Sequence, residues 1–181
     1  MKTYNKWASQ KSSIKKRVAL LIFGALVFPL LIPIILIKIV PKLDNIMGIG
    51  SYDFGNINIV IGLILIITGG IIAFWTIYLQ MHLASGTPFP MVPTKNLIIS
   101  GPFSVCRNPM TLGTILMYFG ISVMIGSLAS IICFAIFAIL LFIYIKGIEE
   151  KELAERFGTK YTQYKSNVPF IIPNVFLKAK K

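Results

Sequence analysis

The sequence predicts an all-α integral membrane protein of about four transmembrane helices with a cytoplasmic C-terminal interfacial helix. Three observations predict it. Of the 181 residues, 56% are hydrophobic and only 13% charged, about half the charged share of a soluble domain. The apolar residues gather into blocks long enough to cross a bilayer, and the basic residues lie outside those blocks. With four spans and the N-terminus in the cytoplasm, only Lys38 and Lys42 of the 18 Lys and Arg fall on the outer side. That asymmetry is the positive-inside pattern, and it puts both termini in the cytoplasm. It also accounts for the net charge of +12 without nucleic acid as a partner, since no aromatic-interleaved basic face accompanies the charge.

The chain reads as one membrane domain, 1–181: a basic segment and two spans over 1–79, a core with a helical hairpin over 80–173, and a basic tail over 174–181. Met1 to Arg17 is polar and basic, a topology signal with Trp7 placed for the interface. Val18 to Val40 is the first span. A basic start before an apolar block resembles a signal peptide, but the block is too long and no small-residue cleavage site follows, so it reads as a retained anchor. Pro29 and Pro33 inside it each delete a backbone donor, which predicts a kink near the middle.

Pro41 to Asn58 reads as a loop broken by Gly48, Gly50 and Gly55, with Asp44 and Asp53 as solvated loop acids rather than a catalytic pair. Ile59 to Leu79 is the second span. Gly62, Gly69, Gly70 and Ala73 give it small surfaces for close helix approach, and Trp75 and Tyr78 fit an interfacial belt. Gln80 to Ser100 is a long connection stiffened by Pro88, Pro90 and Pro93. Its His82, the single histidine of the chain, reads as solvated. No second strong ligand accompanies it, and Cys106 and Cys133 have neither metal-like nor disulfide-framework spacing, so no metal is expected.

Leu112 to Ile125 and Ala129 to Ile145 are two apolar helices joined by Gly126-Ser127-Leu128, a turn short enough to force an antiparallel hairpin. The character changes at Lys146. Ile148 to Leu153 is acidic, Ala154 to Tyr164 reads as an amphipathic interfacial helix interrupted at Gly158, and Val168 to Pro173 is an apolar, Pro-bounded strip placed to lie against the bilayer.

This topology puts 80–111 and 146–181 on one face, so Arg107-Asn108 and Glu149-Glu150 meet at the open end of the hairpin. Pro109 suits the first position of a helix and Asn108 its cap, where backbone donors favour anions. A cation, an amide, free N–H groups and one or two carboxylates suit a zwitterionic ligand. The same residues also fit a bland arrangement in which Asn108 only caps, Arg107 binds lipid phosphate and the glutamates are solvated. The pattern by itself leaves both open.

The run Gly101-Pro102-Phe103 … Arg107-Asn108-Pro109-Met110 … Gly113 resembles the Gly-Pro-Tyr … Arg-His/Asn-Pro-Met-Tyr-x-Gly signature of the isoprenylcysteine carboxyl methyltransferase and phospholipid methyltransferase superfamily. Gly86-Thr87-Pro88 with Leu97-Ile98 resembles its approach to that motif. Glu149-Glu150 … Leu153 … Arg156-Phe157-Gly158 … Tyr161 … Tyr164 … Val168-Pro169 … Ile172-Pro173 is similar to its closing motif at matching spacing. The resemblance covers roughly residues 80–173. It implies an integral-membrane enzyme that uses S-adenosyl-L-methionine to methylate a lipophilic small-molecule acceptor, with membrane lipids as partners and no metal. On that pattern Gly101, Asn108, Pro109, Met110, Gly113, Glu149 and Glu150 contact the cofactor, while Arg107 and Glu150 are the catalytic positions, Arg107 at the acceptor's polar head.

Three departures stand out. Asn108 replaces the histidine of the prenylcysteine type, Thr111 stands where tyrosine is frequent, and Phe170 where arginine is frequent; these argue against a prenylated protein as acceptor. The alternatives are a membrane-bound NADPH-dependent reductase, for which the chain leaves little room for a phosphate-binding part, and a small transporter or membrane subunit. The latter needs polar groups inside the spans, and Thr68, Ser122 and Ser130 are few for that.

Overall fold

A computed structural model describes residues 18–19, 22–24, 26–83 and 96–173. The expectations for 1–17, for the stretch from Gly86 to Pro93 and for the tail 174–181 lie outside the described residues. Among the described residues the fold is all-α, and the sole sheet-like pairing is an isolated bridge between Ser51 and Ser127.

Helix α1, Ile22–Met47, crosses Pro29, Pro33 and Pro41 by widening rather than by stopping, with π-turns at Val27–Leu31 and Ile35–Ile39. In a π-turn a carbonyl looks five residues ahead for its donor. From Phe28 that residue is Pro33 and from Leu36 it is Pro41, and neither has an N–H. Side chains of other helices supply donors instead: the Tyr118 hydroxyl donates to Phe28 O at 2.8 Å and the Ser130 hydroxyl to Leu36 O at 3.2 Å. This is how a membrane helix keeps its prolines, and it locks α1 to its neighbours.

The expected loop from Pro41 to Asn58 is corrected in part, because Lys42–Met47 is helical up to Gly48. Asp44 is not a solvated loop acid. It is 5% exposed, and its Oδ1 accepts from Ala129 N at 2.8 Å, where the first turn of another helix has unpaired donors. Asp53 behaves as expected of a turn acid, accepting from Gly55 N.

Helix α2 runs Asn56–Leu83, 28 residues, longer than the expected Ile59–Leu79. No Gly or Pro breaks the pattern between Gln80 and Leu83. At about 1.5 Å per residue it exceeds the roughly 30 Å hydrocarbon core, so an end turn reaches the interface. Helix α3, Pro109–Ile125, has 17 residues, and α4, Leu128–Phe157, has 30. Helices α1, α2 and α4 are long and apolar enough to cross a membrane. Outward side chains such as Ile64, Ile67, Ile71 and Phe74 are exposed, as lipid-facing positions are.

The α2–α3 contact is an antiparallel glycine seam. A Cβ on Gly69 would strike the Gly113 carbonyl, and one on Gly62 would strike Met124 and the Gly120 carbonyl. Without side chains there the backbones approach closely and gain dispersion contacts, the driving term between helices in lipid. Ala73 joins the seam; Gly70, expected to, faces open space. The seam continues into a small core of Leu36, Val40, Tyr118, Ile121 and Ala129.

Two further corrections concern the C-terminal part. Helix α4 does not end at Ile145 but continues through a π-turn at Ile145–Glu149 to Phe157. The expected interfacial helix is therefore an extension of α4 up to Gly158, followed by a separate α5, Thr159–Asn167.

Candidate functional site

The motif that ends the connection before α3 folds tightly. Gly101–Ser104 is a 3₁₀ turn entered at Gly101 with φ +60, a left-handed conformation suited to glycine. The Ser104 hydroxyl closes it by donating to Gly101 O. Pro109 then starts α3, as expected, with Asn108 in the capping position.

The Asn108 side chain makes no cap bond; its Nδ2 donates to Phe170 O at 2.9 Å. Two more groups hold the same segment, and a third bond ties α5 to the motif. Arg107 N donates to Pro169 O at 2.9 Å, the Cys106 thiol to Ile171 O at 3.2 Å, and on the other flank the Tyr164 hydroxyl to Phe103 O at 2.6 Å. The expectation for the apolar strip 168–173 is revised: residues 169–171 are strapped across the motif, and Ile172 and Pro173 at its end are exposed. Phe170 packs edge-on against Phe142, with Lys146 Nζ 4.9 Å and Arg107 Cζ 5.9 Å from its ring centre, so an aromatic ring accepts the local cations. Burial pushes the Cys106 thiol up from its usual range, which suits a neutral donor.

Arg107 and Glu150 meet, as the topology predicts. Arg107 Nη2 lies 3.1 Å from Glu150 Oε1, with the two side chains 10% and 7% exposed. The other carboxylate oxygen takes Lys165 Nζ of α5 at 2.6 Å. One buried anion therefore ties together the motif, α4 and α5. Two cations around one carboxylate leave a positive excess, and Arg107 Nε and Nη1 are buried with no hydrogen-bond partner.

Arg107 also lines a cavity of about 280 Å³, near the lower end of the range for small-molecule sites. Leu97, Phe103, Phe137 and Leu141 are among its apolar lining, and Gln80, Arg107, Glu149, Glu152 and Arg156 among its polar lining. Glu152 is paired with Arg156 at 3.1 Å, whereas Glu149 makes no ion pair among the described residues. Tyr161, 2% exposed, also lines the cavity. Burial, reinforced by Glu150, raises its hydroxyl to about 12.

Of the sequence-predicted residues, Arg107, Asn108, Pro109, Met110 and Glu149 line this cavity. Thr111, the position often tyrosine, lines it too. Gly101 does not; a Cβ there would meet Leu79 and Trp75. Gly113 faces Gly69 and Ala73 in the helix seam, and Glu150 lies behind Arg107 in the ion cluster rather than in the cavity wall. His82 stacks on Tyr78 at 4.1 Å and bonds to Tyr78 O, away from the cavity. Sequence reasoning missed Gln80, whose only signal was a polar residue closing an apolar block, and gave no role to Tyr161, which the spacing of the closing motif had marked.

An adenosyl amino acid cofactor fits what is present: unpartnered guanidinium donors for its carboxylate, an unpaired carboxylate for positive charge, and apolar walls. No group of His, Cys, Asp and Glu able to hold a metal occurs among the described residues. Residues 57–160 match the family model described as phospholipid methyltransferase. No curated protein and no solved structure matches the chain.

Proposed function

The chain belongs to the phospholipid methyltransferase family, whose model covers residues 57–160, and from that premise we propose that it transfers a methyl group from S-adenosyl-L-methionine to a lipophilic acceptor at the cytoplasmic face of the membrane. The family makes it a methyltransferase of lipid-type substrates; the cofactor, the face and the residues are our reading. The observation that carries it is that Arg107, two of whose nitrogens are buried without a partner, lines a cavity with a mixed polar and apolar wall. Family membership favours this over the reductase and transporter readings.

Bound there, S-adenosyl-L-methionine would supply an electrophilic methyl group carried on a positively charged sulfur, for in-line displacement with S-adenosylhomocysteine as the leaving group. The protein's contribution is positioning and desolvation. Arg107 Nε and Nη1 hold an anionic group of a ligand, and the ion pair with Glu150 fixes the direction in which they point. Glu149 sets a negative charge against the cationic reactant. The apolar wall excludes water and admits an acyl or isoprenoid chain. A carboxylate or a neutral amine acceptor needs no base here, whereas an ammonium acceptor must lose its proton before it attacks.

Calorimetric titration of the detergent-purified protein with S-adenosylhomocysteine tests this. Saturable micromolar binding is expected, weakened at least tenfold in Arg107→Ala. Folded wild-type protein that takes up no S-adenosylhomocysteine overturns the cofactor reading.

A further inference from the structure

Gln80 lies in the last turn of α2 beside Tyr78, Leu79 and Met81. A long polar side chain so close to the membrane surface ordinarily extends toward water. This one turns inward: it lines the same cavity as Arg107, and its Oε1 is buried with no hydrogen-bond partner. An unpaired buried amide oxygen is destabilising, and nothing among the described residues offsets it.

The polarity of the orphaned atoms is informative. Apart from Glu150 Oε1, which is ion-paired with Arg107 Nη2 at 3.1 Å, Arg107 contributes two donors, Nε and Nη1, and Gln80 one acceptor. Hydrocarbon satisfies neither. A ligand that satisfies both carries an anionic or acceptor group at one end and an N–H or O–H donor at another.

We propose that Gln80 is a ligand-binding residue whose side-chain carbonyl accepts a hydrogen bond from an N–H or O–H of the molecule that Arg107 holds by its anionic group. The inference rests on the methyl-transfer reading above and adds a recognition element to it. Two sources carry this chemistry, the amino groups of the cofactor and the polar head of the acceptor. A near-isosteric Gln80→Met removes the acceptor while keeping the shape. Because the oxygen is unpaired in the ligand-free protein, this change leaves the ligand-free Tm unchanged or raises it, which a residue holding the fold would not do.

The experiment compares wild type and Gln80→Met as full chains in detergent. It measures ligand-free Tm, S-adenosylhomocysteine affinity, and apparent KM for methyl transfer into phosphatidylethanolamine vesicles. A tenfold or greater loss of S-adenosylhomocysteine affinity at undiminished Tm assigns Gln80 to the cofactor. Unchanged affinity with a KM raised tenfold or more assigns it to the acceptor head. A Tm several degrees lower without ligand, or affinity and KM both within twofold of wild type, overturns the proposal. A wild-type protein that neither binds S-adenosylhomocysteine nor methylates lipid overturns this inference and the proposed function together; a Gln80→Met protein that matches a competent wild type overturns the inference alone.

Discussion

The two ends of the α3–α4 hairpin bury polar groups in opposite ways. At the closed end, Asp44 accepts from Ala129 N, Ser127 Oγ from Ser130 N, and the Ser130 hydroxyl donates to Leu36 O. Tyr52 N donates to Gly126 O. The buried side chains there are satisfied within the protein. At the open end, Gln80 Oε1 and Arg107 Nε and Nη1 are buried without partners, and Glu150 Oε1 is close enough to Arg107 for attraction but is not aligned as a hydrogen bond. Since an unmade bond in low dielectric costs more than a made one gains, the first end is built for stability. The second retains unspent hydrogen-bonding capacity, as a binding site does. On the proposed function, the contrast separates residues that hold the fold from residues that would meet a ligand.

The largest effect should come from removing the anion shared by both roles. Glu150→Gln leaves Arg107 buried without its counter-ion and should cost about 3 kcal/mol, seen as a lower Tm in detergent together with lost S-adenosylhomocysteine response. A Tm loss with ligand affinity intact would make Glu150 purely structural. Next, Gly113→Ala drives a methyl into the Gly69 carbonyl and Ala73 and should cost about 2 kcal/mol by overpacking. Because Gly113 is in the seam, the folded fraction should bind S-adenosylhomocysteine as wild type does; selective loss of affinity would return it to the site. At the closed end, Asp44→Ala removes a cap and should cost about 1 kcal/mol, with specific methyl-transfer activity of the folded protein unchanged.

The smallest effect is one of pH. Tyr161 is raised from 10.0 to about 12 by burial, and Tyr164 is raised further by the same cause. A hydroxyl whose value is higher in the folded chain than in the unfolded one stabilises fully below about pH 10 and loses that contribution as pH rises through the folded value. Denaturant midpoints should therefore hold up to pH 10 and fall between pH 10 and 12, less steeply in Tyr161→Phe.

Much of this was legible in the chain. Apolar block lengths gave α2 and the hairpin, and the Gly126-Ser127 turn gave their antiparallel course. The placement of Lys and Arg brought Arg107 and Glu150 to one end, where they form an ion pair. The positions of Gly62 and Gly69 marked a close approach, but periodicity does not say which small residues face a partner, so Gly70 and Gly113 were read without their geometry. Asp44 illustrates the limit from the other side: its sequence neighbours are those of a loop acid, and only the helix start it meets 85 residues away makes it a buried cap.

What the sequence determined by itself is what composition and local covalent chemistry control: an all-α membrane protein, its helix ends at Gly48, Gly126 and Gly158, the helix start at Pro109, and the residue types of the open end. Those follow from apolar block length and from backbone groups that must pair within a few residues. The tertiary structure alone decided the rest. It satisfied the Phe28 and Leu36 carbonyls from other helices, folded 169–171 back onto Cys106, Arg107 and Asn108, and left Gln80 and Arg107 as the orphaned pair. Each of these depends on groups tens of residues apart, and whether a buried polar atom finds a partner is a property of packing that no local pattern encodes.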